Sequence, residues 1–218
     1  MPGEIKSLFI PGPVGRLEAL LNTGKANASH AALVCHPHPL HGGRMHNKVV
    51  FALAKTLNNF GFPVLRFNFR GADLSEGEHD FGRGEIDDVR AAIDWLDREL
   101  RLPVIFAGFS FGAATGLQAA CPDRRVGALI SAGTPVRVEE RGHTYEFLRD
   151  CGKPKLFISG SQDPYGTRAA LEQLVATAAE PKKLVLVAGA GHFFEGEPEE
   201  LRRAVHEWVG ETLKLRAE

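Results

Sequence analysis

Val104-Ile105-Phe106-Ala107-Gly108-Phe109-Ser110-Phe111-Gly112, followed by the helix-forming stretch at 113–120, decides how this chain is read. An apolar run leads into a G-x-S-x-G pentapeptide and a helix leads out. Strand, sharp turn and helix are the setting in which that pattern places a serine in a strained turn with its hydroxyl exposed. Gly108 and Gly112 leave room for the turn. Ser110 is therefore the candidate nucleophile. The pentapeptide alone is a weak pattern in a chain with 24 glycines, so its surroundings must carry the reading.

Outward from the turn, the chain alternates apolar runs with amphipathic stretches. Strands are predicted at 8–10, 14–21, 31–35, 62–69, 104–107, 126–131, 155–159 and 184–187. A Pro-Gly-Pro turn joins the first two. Helices are predicted between them. Asn47 is placed to cap one that buries Val50, Leu53, Leu57 and Phe60, with Gly61 ending it. A longer helix carries Ile86, Val89, Ile93, Leu96 and Leu100 at helical spacing. Two more are predicted at 167–178 and 199–215. This alternation implies an α/β fold: a mostly parallel sheet of about eight strands with helices on both faces. The first two strands have no helix between them and are expected as an antiparallel hairpin at one edge.

The 218 residues suffice for a single domain with a full core, and residues 1–218 are read as one domain. A net charge of −1 gives no reason to expect nucleic acid or an anionic membrane as partner. No apolar stretch approaches the roughly 18 residues of a membrane span. The N-terminus lacks the features of a signal peptide. Cys35, Cys121 and Cys151 are odd in number and scattered, so they are read as reduced, buried small hydrophobes in a cytoplasmic protein.

A serine hydroxyl needs a base, and the base needs an orienting carboxylate. In a parallel sheet such groups gather at the carboxyl ends of strands. Asp163 stands there in Gly160-Ser161-Gln162-Asp163-Pro164, and His192 in Gly189-Ala190-Gly191-His192-Phe193-Phe194. The catalytic candidates are thus Ser110, Asp163 and His192, with Glu139 or Glu140 as the alternative acid. The expected oxyanion donors are backbone N–H groups. One is that of Phe111, at a helix start. The other is that of His38, the one residue able to donate among positions 37 to 39 of His36-Pro37-His38-Pro39. His36, His38, His41 and His46 lack the carboxylate, cysteine or helical pairing of a zinc site, so no metal is assigned, and they are read as lining the cleft wall. No cofactor is implied.

Together these motifs resemble the α/β-hydrolase superfamily over nearly the whole chain. The chain is similar in particular to small bacterial hydrolases with H-P-H-P after the third strand and N-F-R-G (Asn68-Phe69-Arg70-Gly71) after the fourth, like dienelactone hydrolases and short lidless esterases. Dienelactone hydrolases carry cysteine at the elbow where this chain has Ser110, which argues against transferring their substrate. The resemblance implies an α/β-hydrolase fold and acyl transfer on a small-molecule acyl substrate. Ester hydrolysis is the first reading. A peptidase, thioesterase or lactonase with the same triad is the second, and a non-catalytic binding module the third. The connection 133–154 is too short for a substantial lid. Phe109, Phe111, Tyr165, Phe193 and Phe194 are expected around the acyl pocket, with packing against the sheet as the alternative place for Phe109. Arg70 is read as pairing structurally with a carboxylate. The loop bearing Asp73, Glu76, Glu78 and Asp80 is read as solvated.

Overall fold

A computed structural model describes residues 4–136, 145–196 and 198–215. Strand β1 (Ile5–Gly12) turns through Pro13 and Val14 into β2 (Gly15–Asn22), pairing antiparallel from Ile5 opposite Asn22 to Gly12 opposite Gly15. Strand β2 pairs antiparallel with β4 (Val64–Phe67). From there the sheet is parallel through β3 (Ala31–Cys35), β5 (Val104–Phe109), β6 (Val126–Ala132), β7 (Lys155–Gly160) and β8 (Lys182–Val187). The order is β1-β2-β4-β3-β5-β6-β7-β8, so the expected hairpin lies at one edge.

Helices cover both faces. On one, α1 (Lys48–Asn59) and α5 (Pro198–Leu213) bury Val50, Leu53, Leu57, Leu201, Val205 and Trp208 against β3, β5, β6 and β7. On the other, α2 (Gly84–Leu100), α3 (Phe111–Ala120) and α4 (Arg168–Thr177) enclose Val89, Ile93, Leu96, Leu117 and Val175. Each such side chain taken from water contributes about 1.5–3 kcal/mol. Asn47 caps α1, its Oδ1 accepting from Val49 N at 2.9 Å.

Two expectations are corrected. The strand expected over 62–69 is ladder-paired only over Val64–Phe67. Beyond it Asn68 N still donates to Glu18 O of β2 at 2.8 Å, and at Phe69 the N–H turns to the His36 ring and leaves the sheet. Cys121 and Cys151 are not separate thiols. They form a disulfide with Cα atoms 5.9 Å apart, because the end of α3 meets the segment entering β7, where Lys153 Nζ also donates to Ala120 O. A sequence separation of 30 hides that convergence. The inference of a reducing compartment loses its ground with them. Cys35 is buried in β3, as expected.

No helix among the described residues is long and apolar enough to cross a membrane. Between β6 and β7 the described residues hold one short element, a 3-10 turn at Glu146–Arg149, and no lid. Glu139 and Glu140 lie outside the described residues.

Candidate active site

Strand β5 delivers Ser110 into a turn with φ +55° and ψ −120°, a region that costs a non-glycine residue about 1–3 kcal/mol. The turn is held from outside: Ser110 N donates to Ala132 O of β6 at 2.9 Å. It also depends on close packing. A Cβ on Gly112 would lie 2.4 Å from the His36 carbonyl oxygen. This contact seats the start of α3 against the end of β3.

The other two candidates arrive on loops that bind each other. Gln162 N donates to Ala190 O at 3.0 Å, Ser161 N to Val187 O at 2.8 Å and Gly189 N to Ser161 Oγ at 3.0 Å. Gly160 lets the loops touch, since a Cβ there would lie 2.3 Å from both the Ala190 and Gly191 carbonyl oxygens.

The three predicted residues come together in line. Ser110 Oγ is 2.9 Å from His192 Nε2, and His192 Nδ1 is 2.8 Å from Asp163 Oδ2. Asp163 is 3% exposed. Its Oδ2 also accepts from Ser159 Oγ at 2.9 Å, and its Oδ1 from Tyr165 N at 2.9 Å. Burial pushes the carboxyl up, but the hydrogen bond and charge of His192, with the Tyr165 and Ser159 donors, outweigh it and hold the group below its ordinary value. An ionised carboxylate only accepts, so Nδ1 carries the imidazole proton and Nε2 is left to accept from the serine hydroxyl. The ring is clasped by Phe109 at 5.0 Å, Tyr165 at 4.6 Å and Phe193 at 5.2 Å between centroids.

Beside the serine, Phe111 heads α3, where the first carbonyl acceptor, that of Ser110, takes the N–H groups of Ala113 and Ala114. His38 stands over it, ring centroids 4.8 Å apart. The His38 carbonyl accepts from His41 N and Gly43 N, which turns the loop back at Gly42.

The four histidines of this loop do not act alike. His36 does not line the cleft; it is fully buried. Its Nε2 accepts from Phe69 N at 3.0 Å, so Nδ1 donates to Pro37 O at 2.6 Å. Burial pulls its pKa down to about 3, against a smaller upward effect of the Pro37 carbonyl. His36 is a neutral tie between the ends of β3 and β4. Among the described residues no group of three or more His, Cys, Asp or Glu side chains is arranged to hold a metal.

The aromatic expectations divide. Tyr165 and Phe193 are about half exposed at the cleft, at 51% and 50%. Phe109 is buried on the sheet, its alternative place, on the face that β5 alternation gives it, and Phe111 and Phe194 are buried in the core instead of lining a pocket. Arg70 forms the expected ion pair, its Nε and Nη2 on Asp88 at 2.7–3.0 Å. In the acidic loop Asp73, Glu76 and Glu78 are exposed, as expected, and Asp80 is half-buried. Asp73 pairs with Arg44, Glu76 with Arg16, and Asp80 accepts from Gly84 N at the head of α2. Sequence reasoning missed Ser159 and His79. Ser159 is a small polar residue closing an apolar strand, which is a usable signal. His79 packs 4.9 Å from His38, with Nδ1 2.7 Å from Glu85 Oε1 but off the axis of a hydrogen bond. Nothing in the local pattern marks it.

The model of the alpha/beta hydrolase domain family matches residues 30–208. An alpha-beta serine hydrolase homologue from Coxiella burnetii is 37% identical, with a TM-score of 0.85 over 93% of this chain and 96% of its own. A Xanthomonas campestris protein described as an a/b serine hydrolase without lid is 33% identical, with a TM-score of 0.85 over 100% of this chain and 98% of its own. An uncharacterized protein of Rickettsia prowazekii is 32% identical across 93% of this chain and 87% of its own.

Proposed function

The chain belongs to the alpha/beta hydrolase family, and from that premise we propose that it is a serine hydrolase of carboxylic esters and related small acyl compounds. One observation carries the reading: the unbroken chain from Ser110 Oγ through His192 to Asp163, at 2.9 and 2.8 Å. A serine in a strained turn with a properly tautomerised imidazole in reach is equipped to attack a carbonyl.

In the proposed reaction His192 Nε2 takes the hydroxyl proton as Ser110 Oγ bonds to the acyl carbon. Asp163 stabilises the imidazolium by its charge without taking the proton. The oxyanion is received by the N–H of Phe111, favoured by the α3 dipole, and by the N–H of His38. Collapse expels the alcohol, which takes the proton from His192, and leaves the acyl group on Ser110. His192 then activates water to release the acid. No cofactor takes part in this scheme. The half-exposed Tyr165 and Phe193 and the absence of a lid among the described residues favour short or exposed acyl groups.

A panel of p-nitrophenyl esters of increasing acyl length tests this, run beside a thioester, a lactone and an aminoacyl amide. Short esters are expected to turn over fastest, and Ser110→Ala to eliminate that turnover with the fold intact. Ester turnover unchanged in Ser110→Ala would remove the assignment.

A further inference from the structure

Arg66 lies within β4, 3% exposed. Its Nη1 donates to Met45 O and its Nη2 to Asn22 Oδ1, each at 3.2 Å, and its Nε is buried with no acceptor. Both acceptors are neutral. Among the described residues no carboxylate lies within ion-pair distance of the guanidinium, and burial lowers its pKa. Removing a charge from water without a counter-charge costs several kcal/mol. Such a group either weakens the fold or awaits an anion.

The surroundings favour the second. Arg66 lines a cavity of about 580 Å³, of a size that holds small ligands. Lys25 and Lys55 stand on the same wall, and among the described residues no Asp or Glu lines it. Phe51, 49% exposed, lies with its ring centroid 5.8 Å from the Arg66 guanidinium carbon and offers an apolar surface beside the charge. The cavity lies beside β2, β4 and α1. Asn22 on its wall pairs with Val64, the first residue of β4, at the opposite end of the sheet from the carboxyl ends that carry Ser110, Asp163 and His192.

We propose that this cavity is a second binding site, for a small organic oxyanion whose phosphate or carboxylate sits on Arg66 between Lys25 and Lys55 and whose apolar part lies on Phe51. Arginine's fork of donors suits either headgroup, and the unpartnered Nε supplies one of them. The two lysines add charge at the mouth.

The test titrates phenyl phosphate and, separately, benzoate into the full chain, followed by amide shifts of a 15N-labelled sample and by calorimetry. Saturable shifts at Lys25, Phe51 and Lys55 are expected from at least one of them, and the tighter of the two identifies the headgroup. The double variant Lys25→Glu/Lys55→Glu, changed at exposed positions, should weaken that binding at least tenfold while ester turnover stays at the wild-type level. Arg66→Met should lose the binding. Absence of shifts at these residues up to about 10 mM of either compound, well above a useful affinity, overturns the proposal. So does binding at full strength in the double variant, whatever the folding of Arg66→Met.

Discussion

His36 and His192 are both buried, 0% and 7% exposed, and both tie together the ends of strands, yet they are built for opposite purposes. Both ring nitrogens of His36 face backbone groups, an N–H and a carbonyl, which fix one neutral tautomer and favour no proton gain. His192 faces a carboxylate on one side and a hydroxyl on the other, so a second proton would be met by charge. Burial alone therefore does not make a histidine a base. What decides is whether its partner is a dipole or an anion.

The largest effects fall on the His192 side. His192→Ala should lower kcat for ester hydrolysis on the order of 10⁴-fold or more, and Asp163→Asn should lower it on the order of 10⁴-fold, both with the circular dichroism of the folded chain retained. A loss under tenfold in either would place His192 with His36 as a structural residue. Gly112→Ala couples the two regions. Its new methyl would press on the His36 carbonyl, at 2.4 Å from the oxygen, and the elbow must shift. We expect about 1–3 kcal/mol of lost stability with a fall in kcat, measured by denaturant unfolding and p-nitrophenyl acetate turnover. Wild-type behaviour in both would show that the elbow does not lean on β3.

His36→Ala should cost about 2–4 kcal/mol in the same unfolding experiment, since it opens a cavity and leaves the Phe69 N–H unpaired. Its effect on kcat should be far smaller than that of His192→Ala. The pH dependence is finer still. The His36 pKa falls from 6.5 to about 3 on folding, so between those values the unfolded chain binds more protons and stability falls as pH drops. Its contribution is at most about 1.4 kcal/mol per pH unit. Asp163 acts elsewhere. Its depressed pKa contributes stability above 3.8 that is lost as pH falls through its lower folded value. His36→Ala should flatten the curve between pH 6.5 and about 4 and leave the more acidic limb in place. An unchanged slope there would contradict the neutral tie.

Much of this was legible in the residues because catalysis on a parallel sheet is locally encoded. Ser110, Asp163 and His192 each close an apolar strand run, and glycines mark the turns. Contacts made across the fold left no such trace. The partners of His36 are the neighbouring Pro37 and Phe69 just past the end of β4, and no spacing reveals that the Phe69 N–H needs an acceptor. Cys121 and Cys151 meet only because α3 ends beside the entry to β7. Phe109 and Phe194 sit next to site residues in sequence but turn into the core. Arg66 and Arg70 stand four positions apart, and only the fold gives Asp88 to Arg70 and no carboxylate among the described residues to Arg66.

The central claim is that Ser110, activated by His192, takes the acyl group. Intact-mass and peptide mass spectrometry after treatment with a fluorophosphonate tests it most directly. One adduct per chain on Ser110 is predicted, strongly slowed in His192→Ala and absent in Ser110→Ala. An unlabelled wild-type chain, or an adduct that persists in Ser110→Ala, would contradict it.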